Sequence, residues 1–220
     1  MNLTGLSRRR FIGATSGVAV AATLVEFGGA APALADSRTW QPATSSNGWS
    51  VLDHAGSHAI EGSGEHVSLA DGDAATVLLH VARRFHYEID TLRPGDVHGW
   101  TADRTVTEPY ESNYLSGSAL AIRPTWYPVG AKGNLYPNEL VVVRDILTEL
   151  DGVVAWGGDF TTPKESHFEI AVRPGHPRLK GVARKIGGWN SGPGNEGAGA
   201  VDAFDPARRR AARAFAGRAS

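Results

Sequence analysis

The sequence predicts an α+β fold in which a small, mainly antiparallel sheet is flanked by helices. Short apolar or alternating segments, typical of strands, are bounded by turn residues. Longer segments carry apolar residues at helical spacing, and the two kinds do not follow the strict alternation of a parallel βαβ sheet. The chain has 220 residues, of which 41% are hydrophobic. This length suits one domain with a substantial core.

Residues 1–35 have the features of a twin-arginine signal peptide. Three arginines at positions 8–10 precede an apolar run from Phe11 to Val25, and the small residues Ala33-Leu34-Ala35 follow at cleavage-site spacing. The alternative, a membrane anchor, is disfavoured because the run is shorter than the roughly 20 residues of a spanning helix. We therefore expect cleavage after Ala35 and a secreted or cell-wall-associated protein exported by the twin-arginine route.

Charge and cysteine content exclude several classes of protein. Three of the 22 basic residues and one of the 23 acidic residues lie in the signal, so the rest has a net charge near −3. This balance argues against a nucleic-acid partner, and no second apolar run is long enough to span a membrane. With no cysteine in the chain, any metal must bind His, Asp, Glu or, less readily, Tyr.

The first part of the exported chain predicts an arm, short strands and a helix. Residues 36–50 are polar and are expected to form a flexible arm. Residues 51–70 contain alternating pieces that predict one or two strands. An amphipathic helix is predicted over 74–85, with Asp73 as its N-cap. We place the folded domain at 51–188.

The middle of the chain alternates loops with short elements. Residues 93–118 are rich in turn residues, and 119–122 predict a strand. After a turn-rich stretch, a helix is predicted from Pro137 to Leu150, with Gly152 as its C-cap.

The last part predicts two strands and two helices. The strands are 153–156 and 167–172, and a core helix is expected over 177–186. Residues 189–220 then form a glycine-rich linker and a terminal helix rich in Arg and Ala. Asp205 and Pro206 predict the start of that helix.

Two motifs in the chain stand out. The segment 156–160 reads Trp-Gly-Gly-Asp-Phe, and His167-Phe168-Glu169 follows it. Upstream, 112–121 contains Ser112, Gly117 and Ala119 in fixed register. Together these residues resemble the zinc-dependent peptidoglycan peptidases, a family of D-alanyl-D-alanine carboxypeptidases and L-alanyl-D-glutamate endopeptidases. The resemblance implies a Hedgehog/DD-peptidase-like fold.

The resemblance also assigns roles to residues in both motifs. It makes His167 a zinc ligand, but Tyr114 and Ala121 occupy the positions of the other two ligands, and Lys164 that of the catalytic acid. A rebuilt site would draw its remaining roles from neighbouring residues. Catalysis is assigned to Glu165 as the acid and Arg104 as the substrate-side arginine. Cleft positions are assigned to Ser112, Trp156 and Asp159, and other candidate metal ligands are His86, His98, Asp159 and Glu169.

Two functions are compatible with these substitutions. The first is a metallopeptidase that acts on or near peptidoglycan stem peptides, with a rebuilt zinc site. The second is an inactive pseudo-peptidase that binds cell-wall peptide without zinc chemistry. A catalytic zinc needs about three protein ligands and an open position, and a lone imidazole does not supply them. Whether the chain is an enzyme therefore stays open at this stage. The expected partner is a stem peptide, and the expected state is a monomer.

Overall fold

The computed structural model describes residues 36–191 and 201–219, which form an α+β fold as predicted. The predicted signal peptide and most of the predicted glycine-rich linker lie outside these residues. The helices and strands in chain order are β1 (Arg38–Thr39), β2 (Gly56–Ala59), β3 (His66–Leu69), α1 (Asp73–Glu88), β4 (Val97–His98), β5 (Thr105–Val106), β6 (Ala119–Ile122), α2 (Pro137–Glu149), β7 (Val154–Trp156), β8 (His167–Ile170), α3 (Pro177–Ser191) and α4 (Pro206–Ala219).

The main sheet has four strands in the order β4-β6-β8-β7, and every neighbouring pair is antiparallel. Two smaller sheets pair β1 with β5 and β2 with β3, also antiparallel. The prediction of a mainly antiparallel sheet is therefore confirmed. Short 3-10 helices at Pro109–Tyr114 and Gly157–Asp159 precede β6 and β8.

One face of the main sheet packs against the helices and forms the core. Phe168 and Ile170 on β8 are buried with Leu78 and Val81 of α1 and Ile146 of α2. Because side chains alternate along a strand, His167 and Glu169 point to the opposite face. Each fully buried aliphatic or aromatic side chain stabilises the folded state by roughly 1.5–3 kcal/mol relative to leaving it exposed.

A buried ion network joins three helices. Arg84 on α1, only 1% exposed, binds Asp145 and Glu149 on α2 at 2.8 and 2.9 Å. Arg208 on α4 binds the same two carboxylates at 2.7 and 3.3 Å. Because breaking a buried ion pair costs several kcal/mol, this network fixes α4 on the domain.

Residues 36–50 are not the flexible arm that their composition predicts. The buried Ser45 hydroxyl donates to Asn47, and the Asn47 side-chain amide donates to Ser118 at 2.8 Å and to the Ile170 carbonyl at 3.0 Å. The side chains of these polar residues bind buried backbone and hydroxyl groups, an arrangement that composition alone does not reveal.

The predicted ends of three helices are also corrected. Gly72, not Asp73, is the N-cap of α1, and Leu150, not Gly152, is the C-cap of α2. Helix α3, predicted to end near 186, extends into the predicted linker as far as Ser191. Asp205 caps α4 as predicted, because its carboxylate accepts the Ala207 and Arg208 backbone N–H groups. In the described part of the chain, no helix is long and apolar enough to cross a membrane.

Candidate functional site

The three residues at the zinc-ligand positions of the resembled family meet on the face of the main sheet opposite the helical core. Ala121 on β6 lies directly opposite His167 on β8 in the antiparallel register. Tyr114, the last residue of the 3-10 helix before β6, brings its hydroxyl to 2.7 Å from His167 Nδ1. The fold therefore brings these positions together, but a phenol (Tyr114) and a methyl group (Ala121) stand where a zinc site would have ligands.

His167 has hydrogen-bond partners on both ring nitrogens. Its Nε2 lies 2.8 Å from a carboxylate oxygen of Glu169, which also accepts the Asn113 side-chain amide at 2.6 Å. A carboxylate only accepts, so Nε2 carries the hydrogen and Nδ1 accepts the Tyr114 hydroxyl. The imidazole is fully buried, and that burial lowers its pKa, so His167 is neutral near pH 7.

Three aromatic rings enclose His167. The ring centroids of Tyr110, Tyr114 and Phe160 lie 4.9, 5.2 and 5.8 Å from the imidazole centroid. Their packing excludes water and accounts for the desolvation of the histidine.

Lys164 and Glu111 form an ion pair beside this cluster. Lys164 Nζ lies 2.7 Å from Glu111 Oε1 and 5.1 Å from the centroid of the Tyr114 ring. Burial opposes the ionisation of Glu111, but the lysine ammonium and two backbone N–H groups outweigh it, so the pKa of Glu111 is lowered. The pair places a fixed cation at the position where the resembled family carries an acid.

A cleft of about 570 Å³ opens next to Tyr114 and Ala121. Its lining includes the Lys164–Glu111 pair, His98 and Trp100. His98 on β4 is paired with Ala121, so His98, Ala121 and His167 form one row across three strands. We refer to this pocket as the His98 cleft.

The residues present do not fit a catalytic zinc ion. Ala121 has no donor, the Nδ1 lone pair of His167 is taken by the Tyr114 hydroxyl, and the ammonium of Lys164 stands close by. His98 lies two strands from His167, roughly 10 Å away in backbone position. Among the described residues, no three His, Asp or Glu side chains form a group that could hold a metal. We derive no chemical step through zinc.

The hydrogen-bonded chain Tyr114–His167–Glu169 has the same order as a catalytic triad of nucleophile, base and orienting acid. The electrostatics do not favour proton transfer along this chain. Burial raises the pKa of Tyr114 well above 10.0 and lowers the pKa of His167. The proton therefore remains on the phenol near neutral pH, and the chain acts as a fixed hydrogen-bond network.

The two residues predicted to be catalytic bind other parts of the protein. The Glu165 carboxylate accepts the backbone N–H groups of Gly133 and Asn134 at 2.7 and 2.8 Å. Arg104 donates to the Trp40 carbonyl at 3.0 Å, and thereby holds the N-terminal segment. Neither side chain is directed at His167, because backbone groups already occupy both.

The three predicted cleft residues also have structural contacts. Ser112 is buried and donates to the Pro109 carbonyl at 2.7 Å. Trp156 donates from its indole to the Glu165 carbonyl at 2.7 Å, and Asp159 forms an ion pair with Arg144. None of the three is part of the lining of the His98 cleft.

The glycine pair of the first motif is required by packing. A Cβ atom on Gly157 would lie 2.3 Å from the Lys164 carbonyl, and one on Gly158 would lie 2.2 Å from the Trp156 ring. These close approaches fold the 157–166 loop back onto the sheet and bring Lys164 to its position. The motif is therefore explained by local packing in this structure.

Sequence reasoning did not identify Glu111, Asn113 or Tyr110 as part of the site. All three lie in the 3-10 helix that ends at Tyr114. The available signal was the run of polar and aromatic residues at 110–114, next to the substituted ligand position. Of the other candidate ligands, Glu169 contacts His167, whereas His86 accepts the Leu92 N–H group at the end of α1.

In comparisons with protein-family models, curated proteins and solved structures, no match to this chain was found.

Proposed function

We propose that this chain is an exported protein of the zinc D-alanyl-D-alanine carboxypeptidase type that binds peptidoglycan stem peptides without zinc chemistry. The observation that carries the proposal is the 2.7 Å contact between the Tyr114 hydroxyl and His167 Nδ1, with Ala121 opposite the histidine. The residues at the zinc-ligand positions of the resembled family come together. However, the Nδ1 lone pair of His167, which a metal would need, accepts the Tyr114 hydroxyl proton. Export is proposed from the twin-arginine signal.

The His98 cleft supports the binding part of the proposal. Lys164, which is 8% exposed and ion-paired with Glu111, lines the cleft, and a peptide carboxylate would share its ammonium with that glutamate. The lining also offers peptide amide and methyl groups a hydrogen-bond acceptor from Glu111, an imidazole from His98 and an aromatic surface from Trp100. A cleft of this size accommodates the end of a short peptide.

The test is binding of a stem pentapeptide ending in D-Ala-D-Ala, measured by isothermal titration calorimetry on the purified protein. We expect saturable binding, no cleavage and zinc well below one ion per chain. Lys164→Gln should weaken binding about tenfold, which corresponds to the loss of one charge-assisted contact. Lys164→Arg should retain most of the affinity because it keeps the charge.

Lys132→Gln is the matched control, because Lys132 is exposed and lies outside the lining of the cleft. Near-stoichiometric zinc that is lost on His167→Ala, together with cleavage of the pentapeptide, would overturn the proposal in favour of a working peptidase. Absence of any binding would overturn the assignment of the cleft.

A further inference from the structure

Helices α2 and α4 border a groove of about 410 Å³, which we call the interhelical groove. Helix α2 contributes Leu140 and Val141 to its lining, and both side chains are only half-buried. Helix α4 contributes Ala212 and Ala216, whose small side chains leave the space between the two helices unfilled. The interhelical groove shares no lining residue with the His98 cleft, so it is a separate feature of the molecule.

The apolar surface continues beyond the interhelical groove. Arg144 and Ala216 line this groove and also a neighbouring depression of about 660 Å³. Phe160 and Phe215, both half-buried, contribute aromatic surface to that depression. A hydrocarbon chain that lies in the interhelical groove can therefore extend past Arg144 and remain on apolar side chains.

The charged side chains that line the interhelical groove are all arginines. Arg209 and Arg213, one helical turn apart on α4, are exposed at its border. Among the described residues, neither guanidinium has an ion-pair or hydrogen-bond partner, whereas Arg144 is paired with Asp159. The groove therefore combines an apolar floor with two uncompensated positive charges, and its lining contains no carboxylate.

The size of the interhelical groove favours a small ligand over a protein partner. Nine residues line it, whereas a stable protein interface uses roughly 20–30 residues on each side. Its volume falls in the range of about 300–1,000 Å³ that is typical of small-molecule sites. An apolar floor next to unpaired arginines suits a ligand with a hydrocarbon chain and an anionic head group. The planar guanidinium matches a carboxylate in geometry as well as in charge.

We propose that the interhelical groove binds a long-chain fatty acid as its anion. The carboxylate pairs with Arg209 and Arg213 at the border of the groove. The hydrocarbon chain lies on Leu140 and Val141 and extends toward the neighbouring depression. This site goes beyond the proposed stem-peptide cleft and does not depend on it.

The probe is dodecanoate, titrated below its critical micelle concentration into the full chain by isothermal titration calorimetry. We expect saturable binding of one molecule per chain that weakens as salt is added, because exposed charges are screened. Affinity should rise from octanoate to dodecanoate by about twofold or more for each added methylene group that the groove covers. Dodecyltrimethylammonium, which has the same chain and the opposite charge, should bind at least about tenfold more weakly.

Variants assign the binding to this groove. Arg209→Gln with Arg213→Gln should weaken dodecanoate binding about tenfold, whereas Arg210→Gln, at an exposed arginine of α4 outside the lining, should not. Ala212→Leu should also weaken binding because the larger side chain occupies the groove, and Ala207→Leu, exposed and outside the lining, is its control. The arginine variants are at exposed positions, so they test the site even where Ala212→Leu disturbs folding.

Three results would overturn the proposal. The first is no saturable binding of dodecanoate, or equal affinity for dodecanoate and dodecyltrimethylammonium. The second is a loss of affinity in Arg210→Gln equal to that in the double arginine variant. The third is binding to phosphatidylglycerol vesicles without binding to monomeric dodecanoate, which would assign the arginines of α4 to a membrane surface.

Discussion

Tyr114 Oη and His167 Nδ1 are 2.7 Å apart, and the phenol donates to the imidazole. The hydrogen bond replaces the interaction that a metal ion would make with the same lone pair. Because Glu169 holds Nε2, the histidine has no free nitrogen for another ligand. This arrangement places His167 in a closed network of neutral and charged hydrogen bonds.

Tyr114→Phe should destabilise the protein by about 1–3 kcal/mol. The change removes the hydroxyl that donates to Nδ1 of a fully buried histidine, while it preserves the aromatic ring. Urea unfolding at pH 7 measures the effect. Tyr87→Phe, at an exposed tyrosine, is the matched control and should change stability by less than about 0.5 kcal/mol. Equal stability of Tyr114→Phe and wild type would contradict the role given to this hydrogen bond.

Introducing the residues of the resembled family at the three differing positions should create a metal site. In the triple variant Tyr114→His, Ala121→Asp and Lys164→Asp, two new ligands face His167, and the neighbouring cation is removed. We expect close to one zinc ion per chain, measured by mass spectrometry of the metal content, and thermal stabilisation by added zinc. Adding His167→Ala to the triple variant should abolish both effects. Failure to bind zinc in a folded triple variant would indicate that the backbone geometry at these positions does not support a metal site.

Glu149 should make the protein sensitive to acid. Although burial opposes its ionisation, the hydrogen bond with His80 and the charge of Arg84 lower the pKa of Glu149 from 4.5 to about 2. A carboxylate whose pKa is lowered in the folded state stabilises that state above pH 4.5. This contribution is lost as the pH falls toward 2. Glu149→Gln should therefore flatten the decline of the unfolding free energy over that range.

The same variant should be about 3 kcal/mol less stable at pH 7, because it removes a carboxylate from a buried ion network. Chemical denaturation at several pH values measures both effects. Glu61→Gln alters an exposed carboxylate and serves as the control. An acid response of Glu149→Gln identical to that of wild type would show that other groups dominate it.

Gly158→Ala should destabilise the 157–166 loop by about 2 kcal/mol. The added methyl group would lie 2.2 Å from the Trp156 ring, which is itself buried and hydrogen-bonded. The matched control is Gly181→Ala on α3, where a Cβ meets nothing within 4 Å, and we expect a gain of up to about 1 kcal/mol. Thermal unfolding of both variants distinguishes steric conflict from a general effect of glycine.

Much of the fold could be predicted because its signals are local. Helices α1 and α2 follow from apolar residues at helical spacing, and β6 from a short apolar segment between turns. The flexible-arm prediction for 36–50 was wrong because the polar side chains there bind partners far along the chain, such as Ser118 and the Ile170 carbonyl. Composition does not distinguish a solvated polar residue from one that satisfies a buried group.

The sequence alone determined the α+β class, the approximate positions of the four helices and those of strands β6, β7 and β8, whereas β1, β4 and β5 were not predicted. It also carries the resemblance in which Tyr114, Ala121 and Lys164 stand at positions of different chemistry. Only the tertiary structure decided what these residues do. The Tyr114–His167 and Lys164–Glu111 contacts each join residues 53 positions apart, so they depend on strand register and loop closure. Such contacts occur only in the folded chain, and they account for the neutral, fully hydrogen-bonded state of His167.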